Sequence, residues 1–176
     1  MYNETVLEHF REPHNQGRLE EYSAIGKVGN VVCGDVMWMY ILVAPNADGS
    51  DEVIADISWE TFGCTAAIAT SSMVSDLAKG KTISEAIDIT NEMVAEKLGG
   101  LPKPKMHCSA LAADALNEAI YDYYTKQERP IPEPLRRRHD RILRHREEVE
   151  KRYEAFLSKD GAPSADASEG QDSVCS

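Results

Sequence analysis

Residues 24–62 read AIGKVGNVVCGDVMWMYILVAPNADGSDEVIADISWETF, and this stretch decides the fold. Its β-branched and aromatic residues are interrupted by Gly29-Asn30, by Gly34-Asp35 and by the tract Pro45-Asn46-Ala47-Asp48-Gly49-Ser50-Asp51. Runs of that composition between turn residues are strands. Three are expected, near 24–32, 36–44 and 52–61, joined as an antiparallel meander.

On either side the texture is helical. Val6, Leu7 and Phe10 share one face between Asn3 and Arg11, and the pattern stops before Pro13 and a loop containing Gly17. After Cys64, Ala66 to Ala78 closes at Gly80, a segment opening at Thr82 runs through Ala95 to Gly99-Gly100, and Ser109 to Tyr124 is a long Ala- and Leu-rich run. Strands first and helices afterwards predict an α+β fold, a three-stranded antiparallel sheet with helices packed on one face, plus a C-terminal helical extension.

The domain so defined is expected over 1–126. Pro130, Pro132 and Pro134 mark a linker over 127–134, followed by a charged amphipathic helix over 135–157. Leu135, Ile142, Val149 and Phe156 recur every seven residues, but Arg138, His145 and Arg152 stand where a coiled-coil seam needs apolar partners, so a helix laid on its own domain is favoured. Residues 158–176 offer almost nothing to bury and are expected to be a disordered acidic tail; Cys175 lies within it.

A chain of 176 residues with 42% hydrophobic content can fill one core without disulfides. The net charge of -11 is the wrong sign for gripping nucleic-acid phosphates, and the acidity belongs to the first 126 residues, which carry 9 Lys and Arg against 19 Asp and Glu. No apolar run approaches the roughly 20 residues needed to span a bilayer, and Met1 to Arg11 lacks the apolar segment of a signal peptide. A cytoplasmic protein, binding neither nucleic acid nor membrane, is the expectation. The cysteines, at 33, 64, 108 and 175, are too dispersed for a disulfide framework.

Cys33 falls in the turn with Gly34-Asp35, Cys64 between a strand and a helix, and Cys108 just before the long helix. Such element ends display converging ligands more readily than they bury apolar thiols. Helix N-termini favour negative charge, so Cys64 and Cys108 are both expected to be good thiolates. Three thiolates gathered near Asp35 are tolerable only when a cation or cluster neutralises them. Asp35 adds a hard oxygen where a stable site would place a fourth thiolate, and His107 offers a nitrogen that could take its place. No Cys-x-x-Cys pair is present, so spacing alone indicates a generic metal site.

Three local strings narrow this further: Cys33-Gly34-Asp35-Val36-Met37, Phe62-Gly63-Cys64-Thr65-Ala66-Ala67-Ile68-Ala69, and Met106-His107-Cys108-Ser109-Ala110-Leu111-Ala112. In this order they closely resemble the cysteine motifs of the IscU/NifU N-terminal iron–sulfur scaffold family, and the likeness runs from Tyr2 to about Lys126. The resemblance implies a non-enzymatic scaffold that accepts sulfur from a cysteine desulfurase, combines it with iron, holds a labile [2Fe-2S] cluster and passes it to apo iron–sulfur proteins. It implies Cys33, Cys64 and Cys108 as ligands, Asp35 as the residue that confers lability, His107 as a further metal ligand, and Cys108 as persulfide acceptor. An electron donor and a homodimer are among the partners it admits.

Leu101-Pro102-Lys103-Pro104-Lys105 stands where many relatives carry a Leu-Pro-Pro-Val-Lys chaperone motif, a departure that counts against an Hsp70-type chaperone as partner. A zinc-dependent, SufU-like sulfurtransferase, with Zn2+ as the occupant, is the alternative. Those relatives carry an insertion before the third cysteine and lack the preceding histidine, whereas here Cys108 follows Cys64 by 44 positions and His107 is present.

Overall fold

The middle strand of the sheet turns one face into the core. Met37, Met39 and Ile41 are fully buried, and their register partners Val28, Gly26 and Ala24 on one side and Trp59 and Ile57 on the other continue the same face. The computed structural model of the chain describes residues 1–30 and 34–160. Strands β1 (Ala24–Asn30), β2 (Asp35–Pro45) and β3 (Glu52–Phe62) form one antiparallel sheet in the order β1-β2-β3, with a register shift at Leu42/Val43.

The helices are α1 (Glu4–Arg11), α2 (Thr65–Ala78), α3 (Ile83–Ile87), α4 (Asn91–Lys97), α5 (Met106–Lys126) and α6 (Glu133–Asp160), with a 3-10 turn at Lys103–Lys105 leading into α5. The α+β architecture is the one expected. Helix α5 lies against β1 at a distance only glycine permits, since a Cβ at Gly26 would come within 2.1 Å of the Ala115 carbonyl oxygen and 2.4 Å of the Ala119 nitrogen. Helix α2 buries mostly small side chains, Ala66, Ala67, Ala69, Thr70, Ser71, Ser72 and Ser75, beside Met73 and Val74. Their hydroxyls find acceptors without leaving the core, Ser71 at the Ala67 carbonyl (2.7 Å) and Ser75 at the Ser72 carbonyl (2.7 Å).

Two expectations change. The segment from Thr82 to Gly99-Gly100 is two short helices, because Thr90 caps a new helix by accepting from the Met93 N–H, just as Thr82 and Glu85 form a capping box for α3. Helix α5 starts at Met106 rather than Ser109, which puts Cys108 inside its first turn.

Beyond residue 126 the chain stays with the domain, and the first compact unit runs from Met1 to Ile142. Arg129 pairs with Glu52 (2.5 Å) and Leu135 is fully buried. Arg138 donates to the Ile87 carbonyl and to Asn117 Oδ1 (2.9 Å), while His139 stacks on Tyr121 with ring centroids 3.7 Å apart and bonds Glu118 (2.9 Å). The second unit, from Leu143 onward, includes the remainder of α6, where Arg146 pairs with Glu150 one turn ahead (3.1 Å). Of the tail expected over 158–176, Ser158–Asp160 are helical, and residues 161–176, with Cys175, lie outside the described residues.

Candidate metal centre

Three elements converge at one end of the sheet. Gly34 adopts a positive φ of 71°, a conformation glycine takes without penalty, and β2 starts immediately after it with Asp35, which is only 7% exposed. At the end of β3, Gly63 turns the chain into α2. A Cβ there would stand 2.7 Å from that of Ala67 and 3.3 Å from the Asp35 carboxylate, so glycine is what lets the carboxylate lie against this turn. Cys64 then occupies the N-cap of α2 with extended backbone, and its side chain makes no capping hydrogen bond. From the opposite direction, the 3-10 turn delivers His107 and Cys108 in the first turn of α5.

The donor atoms meet around Cys108. Its Sγ lies 3.7 Å from Cys64 Sγ, 3.5 Å from His107 Nε2 and 4.0 Å from Asp35 Oδ2. Ligand atoms of Asp35, His107 and Cys108 all fall within 4.8 Å of one another. The carbonyl of Cys108 is fixed by the buried hydroxyl of Thr70 (3.2 Å), tying α5 to α2 beneath the site. Cys33 lies outside the described residues; in sequence it falls between Asn30 and Asp35, which are register partners of β1 and β2. Sequence reasoning therefore names four residues, Asp35, Cys64, His107 and Cys108, that the fold brings together.

The thiols differ in their surroundings. Cys108 is completely buried, and burial, followed by the neighbouring Cys64, pushes its thiol up to about 12. The expectation of a good thiolate at this position fails for a physical reason. A helix N-terminus contributes about 0.3–1 kcal/mol to a nearby negative charge, whereas each unit of pKa corresponds to about 1.4 kcal/mol, and desolvation of a buried thiolate outweighs the dipole. Cys64, by contrast, is half-buried and has an ammonium beside it, Lys105 Nζ at 3.8 Å. The Lys105 ammonium is stabilised in turn, chiefly by Cys64.

Lys105 and Tyr2 also belong to this neighbourhood, although no cysteine motif contains them. Burial, then Cys64, raises the Tyr2 hydroxyl. In sequence Lys105 closes the Leu101-to-Lys105 segment just before α5, and its contact with Cys64 spans 41 positions.

Known proteins resemble the chain over most of its length. The chain is 57% identical over 126 residues to iron-sulfur cluster assembly scaffold protein IscU 1 of Archaeoglobus fulgidus, covering 72% of this chain and 78% of that one. To the scaffold protein IscU of Aquifex aeolicus it is 47% identical over 128 residues, covering 73% and 79%. Among solved structures, a nitrogen-fixing NifU-like protein (N-terminal) from Brucella abortus shares the fold with a TM-score of 0.52, at 22% identity over 70% of this chain and 94% of that one. The family model described as the NifU-like N terminal domain matches residues 1–130, and the chain belongs to that family.

Proposed function

We propose that this chain is a scaffold on which an iron–sulfur cluster is built and from which it is handed on. The observation that carries the reading is the convergence on Cys108 of Cys64, His107 and Asp35, brought from α2, α5 and β2 to within 4.0 Å of its sulfur. Cys33, Cys64 and Cys108 serve as the thiolate ligands of a [2Fe-2S] cluster, and Asp35 or His107 completes the set. Iron is the cation that makes the buried Cys108 sulfur ionise, because metal binding displaces the thiol proton. Asp35 is the hard, readily exchanged donor that lets the cargo leave.

Sulfur arrives as a persulfide on a cysteine desulfurase. The Cys108 sulfur, deprotonated by metal binding, attacks the outer sulfur, the new S–S bond forms as the donor's bond breaks, and the donor cysteine departs as thiolate. Apo iron–sulfur proteins receive the finished cluster. An electron donor and a second copy of the chain are the further partners this reading admits. No described helix is long and apolar enough to cross a membrane, and a cytoplasmic setting suits cargo built from free thiols.

Anaerobic reconstitution with iron and sulfide tests this. The full chain should develop the visible absorption of a [2Fe-2S] cluster, and Cys64→Ala and Cys108→Ala should each abolish it. Unchanged spectra in both variants would sink the ligand assignment. Asp35→Ala should retain the cluster and slow its transfer to an apo-ferredoxin; faster loss would contradict the role given to Asp35. The same mixed donor set also suits tetrahedral Zn2+, which is what favours the second reading, a zinc-ordered sulfurtransferase. Desulfurase assays with and without iron separate the two, because only the scaffold reading predicts cluster formation.

A further inference from the structure

A second group of side chains of metal-ligand type lies at the far end of α2. One ring nitrogen each of His9 and His14 and a carboxylate oxygen of Asp76 all fall within 4.8 Å of one another. His9 comes from the last turn of α1, His14 from the loop that follows, and Asp76 from the last turn of α2, twelve residues beyond Cys64 and so about 18 Å from it by the rise of a helix. This group is therefore separate from the cysteine centre.

The three side chains are held in place. His9 is buried, and its Nδ1 is hydrogen-bonded to Ser72 Oγ (2.8 Å). The backbone of His14 is pinned on both sides, its N–H donating to Ser72 Oγ (2.9 Å) and its carbonyl accepting from Trp59 Nε1 (2.9 Å). Asp76 Oδ2 bonds His14 Nδ1 at 2.5 Å, while Oδ1 accepts from Asn15 Nδ2 (3.3 Å). Outer hydrogen bonds of this sort orient metal ligands and set the ring planes of ligating histidines.

The two imidazoles face each other at 4.9 Å between centroids, tilted by 56°. The His14–Asp76 and His9–Ser72 hydrogen bonds hold the three groups together, and a cation shared by all three would replace the proton between His14 and Asp76. His14 and Asp76 keep side-chain exposures of 53% and 36%, which leaves an entry path and room for water to complete the coordination.

We propose that His9, His14 and Asp76 form a binding site for a borderline divalent transition-metal ion of the zinc type. Two nitrogens and one carboxylate are the donor set of such ions, whereas calcium and magnesium call for all-oxygen surroundings. Bound there, the ion clamps α1 and its following loop to α2, the helix that presents Cys64 at its other end.

Zinc titration of the full chain, followed by metal analysis after desalting, tests the assignment. The native chain should retain one more equivalent of Zn2+ than the His14→Ala and Asp76→Asn variants, both altered at solvent-facing positions, while all three reconstitute the cysteine-bound cluster equally. In a parallel titration, Co2+ should shift the ring-proton signals of His9 and His14 together. Equal zinc content in the native chain and both variants, or Co2+ shifts at neither histidine, would overturn the proposal.

Discussion

The starts of α2 and α5 each carry a thiol, and the two thiols meet at 3.7 Å, yet their surroundings are opposite. Cys64 caps α2 from outside, half-buried, with the Lys105 ammonium alongside. Cys108 sits within the first turn of α5, without solvent contact, against Asp35 and His107. The difference teaches that position at a helix N-terminus does not set a cysteine's character. Solvent access and the nearest charge do, and in the metal-free protein they leave one thiol open to reagents and the other sealed.

The largest effect that can break this contrast is chemical modification of the metal-free protein near pH 8. Peptide mapping after brief iodoacetamide treatment should find Cys64 alkylated at least about a hundredfold faster than Cys108, since alkylation requires accessible thiolate. Equal rates would mean that Cys108 is not sealed in solution.

Gly63→Ala comes next. The added methyl must displace Ala67 or the Asp35 carboxylate, so we expect a loss of about 1–3 kcal/mol in stability by denaturant titration and a lower cluster yield on reconstitution.

A third test uses alkali. The folded-state pKa of Cys108 is raised to about 12, above an unfolded value of about 8.5. The stability contributed by the buried neutral thiol is therefore complete below about pH 8.5 and is lost as pH climbs toward about 12. The native protein should weaken across that window more steeply than Cys108→Ala in parallel denaturant titrations; identical slopes would remove the raised thiol from the account.

The smallest effect belongs to Lys105→Gln. Removing the ammonium of this half-buried side chain should slow Cys64 alkylation by a few fold at low salt, with the difference shrinking as salt screens the pair.

Much of the fold was legible because its signals are local. The Gly34-Asp35 turn and the Pro45 to Asp51 tract bound the strands to within a residue or two, and Gly63-Cys64 marks the change from sheet to helix. What escaped depends on contacts between distant segments. The sealing of Cys108 comes from α5 lying across both α2 and β1, which composition does not encode. The break after α3 hinges on one threonine acting as a cap. Arg138 reads as a charge spoiling an apolar seam, and becomes intelligible only once Asn117 and the Ile87 carbonyl are found opposite it. The histidines at 9 and 14 look unremarkable until α2 brings Asp76 beside them.

The contact at Gly26 acts as a ruler. Helix α5 rests on the bare backbone of β1 at Ala115 and Ala119, seven and eleven residues along from Cys108, so the thickness of that seam sets how high the Cys108 sulfur stands above the sheet. Asp35 is measured from the same sheet, because it is the register partner of Asn30 in β1. A single methyl group at position 26 would lengthen the ruler and move the sulfur relative to the carboxylate. The span between sulfur and carboxylate is thus gauged by the absence of a side chain two helical turns away.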